Sequence, residues 1–226
     1  MTLTDRDLRL IRDVCLSHVM SRDQILALGY FTSVSRANRR LSVLASAHYL
    51  KVLQIPFKLQ RLFVAGAKSP GVVGARIASI IKGRAGTPRF LQHCLAVTEI
   101  RIATLDIEGG QWRFEAQVRD QFRFGPSIVE VRPDGAILTD STVHFVEADL
   151  GNVSSAKFAA KLSGYSRYLE SDRYWSSYGD RTPSVLIVTT GSRRMNHLHA
   201  LLPSGQSCFE FKFFEEIGAE AVGGWS

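Results

Sequence analysis

The chain has 226 residues, 45% hydrophobic and 22% charged, a composition typical of a globular protein with real hydrophobic cores. No apolar run approaches the ~20 residues of a membrane span, and the N-terminal residues have no signal-peptide pattern, so we expect a cytoplasmic protein with no membrane partner. The three cysteines, Cys15, Cys94 and Cys208, are odd in number and far apart, which argues against a disulfide framework and a zinc site.

The net charge of +7 is unevenly distributed along the chain. Residues 1–90 contain 15 Lys and Arg against 4 Asp and Glu, whereas residues 91–226 contain 13 against 17. A segment this basic indicates a polyanionic partner, most simply nucleic acid. The acidic remainder of the chain indicates a different task.

Two helix starts lie close together at the N-terminus. Thr4 has the position of an N-cap before an apolar stripe, which predicts a first helix to about His18. Ser21 and Gln24 form a capping-box pattern before a short second helix that ends near Gly29. Two short helices in this arrangement commonly precede a third, recognition helix.

The third helix, from about Ser33, is amphipathic and basic. Residues 51–56 and 59–64 after it are expected to pair as a hairpin, so the sequence predicts a winged helix-turn-helix domain over residues 1–66. A solvated helix face is the alternative explanation for the arginines. The residues expected to contact double-stranded DNA are Ser35, Arg36, Asn38, Arg39 and Arg40.

A change of composition separates this domain from the rest of the chain. Residues 67–87 are rich in Gly, Ala, Ser and basic residues, which indicates a basic linker with one short helix near residues 74–81. Thr87-Pro88 is a typical helix start, and a second domain is expected over residues 88–226.

The second domain alternates between strand and helix patterns. The expected strands are 111–118, 128–131, 135–139, 142–149 and 185–189, and the expected helices are 155–169 and about 192–202. Strands joined through a crossover helix predict an α/β core of mixed sheet, in a chain that is α+β overall.

Acidic residues stand at unusual places in two of these strands. Asp134 follows a proline and precedes a glycine that is expected to permit a sharp turn, so it begins a strand or belongs to an ordinary turn. Glu147 and Asp149 are two positions apart and therefore project from the same face of an apolar strand. Burying such a pair is costly unless a cation or another partner compensates it, which indicates a metal or DNA-processing site.

Three short motifs carry a resemblance to known proteins: Arg132-Pro133-Asp134-Gly135, an apolar strand that ends in Glu147-x-Asp149, and Lys161-Leu162-x-x-Tyr165. In this order they resemble the nuclease-like core of the PD-(D/E)XK superfamily. Together with His93-x-Leu95-Ala96-Val97 and the N-terminal helices, the chain more narrowly resembles the replication-relaxation family of bacterial plasmid and mobile-element proteins. The resemblance implies a restriction-endonuclease-like second domain.

The resemblance also implies a catalytic set of Asp134, Glu147, Asp149 and Lys161, with Asp134 and Glu147 as ligands of Mg²⁺ or Mn²⁺. The chain departs from the superfamily pattern because Asp149 stands where a lysine is expected. Lys161 is the first candidate to replace that lysine and Lys157 is the second. Tyr165 is interpreted as a core aromatic residue.

Two functions are consistent with these patterns. The first is a DNA-binding protein of a plasmid or mobile element with Mg²⁺-dependent endonuclease or nickase activity. The second is a catalytically inactive DNA-binding regulator of replication or transcription, whose nuclease-like domain serves dimerisation or partner docking. Asp149 favours the regulator, whereas Asp134, Glu147 and Lys161 favour the enzyme. A homodimer is left open.

Overall fold

The computed structural model of the protein describes residues 2–54, 61–81, 86–202 and 207–219. The chain forms two compact units that divide near residue 102. Helices and mixed sheets occur together, which confirms the predicted α+β class. Among the described residues, none of the helices combines the length and the apolar character that crossing a membrane requires.

The first unit consists of helices around a small antiparallel sheet. Its described elements are α1 (Asp5–Ser17), β1 (Met20–Ser21), α2 (Arg22–Ala27), α3 (Val34–Ser46), β2 (Leu50–Leu53), β3 (Leu62–Ala65), α4 (Pro70–Val73), α5 (Ala75–Ile81) and α6 (Pro88–Ala103). The strands lie in the order β1-β3-β2, with both pairs antiparallel. The expected hairpin is therefore present as β2 and β3, and its predicted residues 55–60 lie outside the described residues.

Side-chain caps fix the helix starts of this unit. Thr4 and Asp7 form a reciprocal capping box at α1, and Ser21 and Gln24 form another at α2, which confirms both predicted starts. The hydroxyl of Ser33 accepts a hydrogen bond at the start of α3. These caps orient the apolar faces of the three helices onto one core. Its buried members include Leu10, Ile11, Val14, Ile25, Ala37, Leu41, Leu44, Leu50 and Phe63.

The predicted linker and domain boundaries differ from the structure. Residues 70–81 form α4 and α5, and Val72, Val73 and Ile77 pack against the core of the first unit. The sequence pattern assigns α6 to the second domain, but this helix belongs almost entirely to the first unit. The cause is apolar packing, because Leu91 and Leu95 of α6 are buried together with residues of the small sheet.

The second unit is built on a five-stranded mixed sheet. Its described elements are β4 (Gln111–Phe114), α7 (Glu115–Val118), β5 (Asp120–Phe124), β6 (Ser127–Val131), β7 (Gly135–Leu138), β8 (Thr142–Asp149), α8 (Ser155–Leu169), α9 (Asp172–Tyr178), β9 (Thr182–Thr189), α10 (Ser192–His199), β10 (Phe209–Phe213) and a 3₁₀ turn (Glu215–Ile217). The sheet order is β10-β9-β8-β7-β4. The strands β8, β9 and β10 are parallel, and β7 and β4 continue the sheet antiparallel.

One prediction about strands in this unit was wrong and another was confirmed. The strand expected over residues 111–118 ends at Phe114, where its pairing with β7 reaches Gly135, and residues 115–118 form a helical turn. The strand predicted at 128–131 is present as β6, and it pairs with β5 in a separate two-stranded ribbon.

The glycine after Asp134 is required for space and not for a turn. Gly135 does not have the positive φ of a glycine-dependent turn. A Cβ at this position would lie 2.3 Å from a ring atom of Trp112, far inside van der Waals contact. The tight packing of Trp112 on Gly135 therefore fixes where β7 begins, immediately after Asp134.

The alternation of side chains along β8 positions the candidate site. Val143, Phe145, Glu147 and Asp149 project from one face of the strand. Phe145 packs against α8, with the ring centroid of Tyr165 5.9 Å away. The face that begins as apolar core thus ends in two buried carboxylates.

Candidate functional site

Asp134 is held against β8 by two hydrogen bonds. Its backbone N–H donates to the carbonyl of Val146 at 2.9 Å, and its Oδ2 accepts from the backbone N–H of Ala148 at 2.9 Å. These two bonds are made to the residues on either side of Glu147 in the neighbouring strand. The carboxylate of Asp134 is therefore close enough to Glu147 for its charge to raise the pKa of Glu147.

Glu147 is buried, with 3% of its surface exposed, and both of its carboxylate oxygens have protein partners. Tyr165 donates its hydroxyl hydrogen to Oε1 at 2.5 Å, and the ammonium of Lys161 donates to Oε2. Lys161 and Tyr165 are four residues apart and so lie on the same face of α8. The structure thus brings Asp134, Glu147 and Lys161 together, as the sequence predicted.

Burial and charge act together on the ionisation of this cluster. Burial raises the pKa of Glu147, the charge of Lys161 lowers it and that of Asp134 raises it, to about 7. Burial alone would lower the pKa of Lys161, but the charges of Glu147 and Asp134 outweigh it and raise that pKa. Burial and the nearby Glu147 also raise the pKa of Tyr165. Lys161 is therefore a cation and Tyr165 a neutral donor.

Tyr165 is a core aromatic residue, as the sequence predicts. It is also a hydrogen-bond partner of Glu147, which the sequence does not predict.

Asp149 is engaged in a separate ion pair. Arg194 of α10 donates to both of its oxygens, at 2.7 and 2.9 Å, and the hydroxyl of Thr189 donates to Oδ2 at 2.9 Å. Asp149 has 1% of its surface exposed. The sequence placed Asp149 in the catalytic set, but these bonds give it a structural role that joins β8 to α10. Arg194 was missed because it lies 45 positions further along the chain.

The donor set of this cluster does not fit a divalent cation at Glu147. Magnesium requires near-octahedral oxygen ligands and keeps several waters. Glu147 is buried and both of its oxygens already accept hydrogen bonds from Lys161 and Tyr165. Across residues 2–54, 61–81, 86–202 and 207–219, no group of three or more His, Cys, Asp or Glu side chains is placed to hold a metal ion.

The second candidate site is the outer face of α3. Its inner face is buried through Ala37, Leu41 and Leu44. The guanidinium of Arg36 is hydrogen-bonded to the hydroxyl of Thr32 at 3.1 Å and remains exposed. The exposed residues of α3 include Ser35, Arg36, Asn38 and Arg39.

Arg40 differs from its neighbours because it is used within the fold. Its guanidinium donates to both oxygens of Asp7, at 3.0 and 2.5 Å, and to the carbonyl of Thr2 at 3.1 Å. Burial alone would raise the pKa of Asp7, but the hydrogen bonds from Arg40 and Thr4 lower it to about 2. The sequence assigned Arg40 to DNA contact, whereas the structure uses it to hold α3 against the start of α1.

A groove lies beside this face, between α3 and the strands β2 and β3. Its volume is about 490 Å³. Two arginines, Arg22 at the start of α2 and Arg61 before β3, contribute cations to its wall, and neither was predicted. The lining residues are Arg22, Asn38, Ser42, Ala45, Ser46, Val52, Arg61 and Phe63.

A sequence profile described as replication-relaxation matches residues 8–183. The chain belongs to the replication-relaxation family. No curated protein matches the sequence significantly. The crystal structure of protein VC1899 from Vibrio cholerae is similar over 96% of this chain and 52% of that chain, with 12% sequence identity and a TM-score of 0.34. This chain therefore spans about half of that protein.

The family match includes both candidate sites. It begins within α1 and ends within β9, so it contains α3, Asp134, Glu147 and Lys161. Arg194 lies beyond the matched region. The ion pair of Asp149 thus depends on a part of the chain that the replication-relaxation profile does not reach.

The raised pKa of Glu147 predicts a specific pH dependence of stability. The folded protein holds this proton up to about pH 7, whereas the unfolded chain releases it near the ordinary value of 4.5. The stability that protonated Glu147 contributes to the folded protein is therefore fully present below pH 4.5 and is lost as the pH rises through 7. We expect the stability of the parent relative to Glu147→Gln to fall over this interval, by no more than about 1.4 kcal/mol per pH unit. Urea unfolding at several pH values measures this difference, with the exposed Glu108→Gln as the control. An unchanged pH profile in Glu147→Gln would contradict the assignment.

Arg40 and Arg39 allow a comparison between an arginine that is hydrogen-bonded within the fold and a neighbouring arginine that is exposed. We expect Arg40→Ala to destabilise the protein by about 1–3 kcal/mol, because the buried Asp7 loses its charged donor. Arg39→Ala should change stability by less than about 0.5 kcal/mol. The Asp7 contribution is present above pH 3.8 and is lost as the pH falls through about 2. Urea unfolding midpoints at neutral pH make the comparison, and equal losses for the two variants would show that Arg40 is not a structural residue.

Proposed function

We propose that the chain is a replication-related DNA-binding protein that contacts double-stranded DNA through α3 and the adjacent groove. Membership of the replication-relaxation family suggests a role in replication of a plasmid or mobile element. The observation that carries the proposal is the exposed polar face of α3, with Arg36 and Arg39, beside a groove that contains Arg22 and Arg61.

The order of elements in the first unit supports this proposal. Three helices followed by an antiparallel hairpin, with a short strand after α1, is the order of a winged helix-turn-helix domain. In such domains the third helix enters the major groove, which is wide enough to admit an α-helix. On α3, Arg36 and Arg39 would contact phosphates and base edges, and Ser35 and Asn38 would donate or accept hydrogen bonds.

The groove supplies a place for one strand of the DNA backbone. Arg22 and Arg61 present guanidinium groups, and Asn38, Ser42 and Ser46 add polar side chains to the wall. Guanidinium geometry suits phosphate oxygens, and most hydrogen bonds between protein and DNA are made to phosphate and sugar. Arg22 pairs with Asp23 at 2.8 Å in a half-buried ion pair, so a phosphate in the groove would compete with Asp23 for the guanidinium.

The proposal is tested by the salt dependence of DNA binding. We expect Arg36→Ala/Arg39→Ala to bind a 30-base-pair duplex more weakly than the parent, because two phosphate contacts are lost. The slope of log K against log salt concentration should become shallower by up to about 1.8. Fluorescence anisotropy over a range of salt concentrations measures affinity and slope together.

The control is Arg9→Ala/Arg12→Ala, which removes the same charge from exposed positions on α1. Its slope should stay close to that of the parent. Arg22→Ala/Arg61→Ala separates the groove from the helix face. Equal effects of the α1 and α3 pairs would mean that the face of α3 has no special role in binding.

In this proposal the second unit is a scaffold for dimerisation or partner docking. The competing candidate is a metal-dependent DNA endonuclease or nickase, and the convergence of Asp134, Glu147 and Lys161 favours it. The engagement of both Glu147 oxygens by Lys161 and Tyr165 weighs against it. So does the pairing of Asp149 with Arg194.

A plasmid assay distinguishes the two candidates. Supercoiled plasmid and linear duplex are incubated with the parent or with Glu147→Gln, in Mg²⁺, Mn²⁺ or EDTA. We expect mobility shifts with both proteins and no conversion to nicked or linear plasmid, because Glu147 is committed to protein partners. Metal-dependent nicking by the parent that Glu147→Gln lacks would establish the nuclease instead.

A further inference from the structure

The carboxylates of Asp134, just before β7, and Glu147, in β8, lie close enough to repel each other. Asp134 is fixed beside Glu147 by its bond to the N–H of Ala148, and Glu147 is buried. Two carboxylates in a poorly hydrated place repel each other, and each one is costly without a cation. The fold must therefore supply a positive charge, take up a proton, or hold a metal ion.

Within the described residues, Lys161 brings a positive charge to Glu147, and Arg132 also interacts with Asp134. The ammonium of Lys161 donates to Oε2 of Glu147 and is also attracted by Asp134, and the lysine side chain remains 35% exposed. The stem is anchored on α8, and Tyr165, one turn later, donates to the other oxygen of Glu147. Lys161 therefore contacts Glu147 from the partly exposed side, and Tyr165 contacts it from the buried side.

We propose that Lys161 is the resident cation of the Asp134–Glu147 pair, and that removal of its ammonium converts the pair into a site for a hard divalent cation. An ammonium and a divalent cation satisfy the same need, which is positive charge beside carboxylate oxygens. In the parent the lysine occupies the place beside Oε2 of Glu147 that a metal ion would take. Without it, Oε2 of Glu147 loses its donor and stands beside Asp134. The inference does not depend on DNA binding by the first unit.

The test is Mn²⁺ binding by Lys161→Met, a variant that keeps most of the apolar stem and removes the charge. Electron paramagnetic resonance measures free Mn²⁺, whose signal falls when the ion binds. We expect one Mn²⁺ per chain at least about tenfold tighter than any binding by the parent, with a dissociation constant on the order of 0.1–1 mM, as for weak carboxylate sites. Mn²⁺ should also raise the unfolding temperature of the variant and not that of the parent.

Three further variants locate the effect. Lys157→Met removes an exposed lysine one turn earlier on α8 and should bind no more Mn²⁺ than the parent. Lys161→Arg keeps a cation and should also show no gain. The double variant Lys161→Met/Glu147→Gln should lose the gained site, because the second carboxylate is neutralised.

Two results would overturn the proposal. One is Mn²⁺ binding by the parent that Glu147→Gln abolishes, since the lysine would then not exclude the metal. The other is Lys161→Met with no gain in binding. If Lys161→Met does not fold alone, its refolding yield is titrated with Mn²⁺: recovery supports the proposal, and no recovery refutes it.

Discussion

The second unit depends on the burial of one carboxylate, that of Glu147. Its position follows from the alternation of β8, because the face that places Phe145 in the core must also turn Glu147 inward. An isolated buried carboxylate is expensive, so neighbouring elements must supply donors. Helix α8 provides Lys161 and Tyr165, and the packing of α8 on the sheet is therefore specified by polar bonds as well as by apolar area.

The first unit solves a similar problem at Asp7. This carboxylate caps α1 through Thr4 and is buried, and Arg40 of α3 compensates its charge. An arginine on an exposed basic helix is naturally interpreted as a phosphate contact, so the pairing of Arg40 with Asp7 bears on the proposed function. Residue type and helix face cannot separate Arg40 from Arg39, whose side chain is exposed. Only the partner, 33 residues earlier in the chain, separates them.

The features that the sequence predicted are those set by local chemistry. Capping pairs three residues apart fixed the starts of α1 and α2, and the two-residue period correctly placed Glu147 and Asp149 on one face. The errors have non-local causes. Arg194 and Asp149 are separated in the chain by α8, α9 and β9, and the strand after Gln111 stops at Phe114 because its antiparallel partner β7 begins at Gly135. Composition suggested a linker where Val72 and Ile77 instead pack on the core.

The two units differ in how their positively charged side chains are used. A DNA-binding site must present positive charge that is not compensated by nearby carboxylates, because binding is driven largely by the release of counterions from phosphates. Lys161 is paired with Glu147 and also interacts with Asp134, so a phosphate at this cluster would meet two carboxylates beside the ammonium. On α3, by contrast, Arg36 and Arg39 are exposed. In the function proposed for this chain, affinity for DNA therefore comes from the first unit, whereas Lys161 and Arg194 of the second unit join its helices to its sheet.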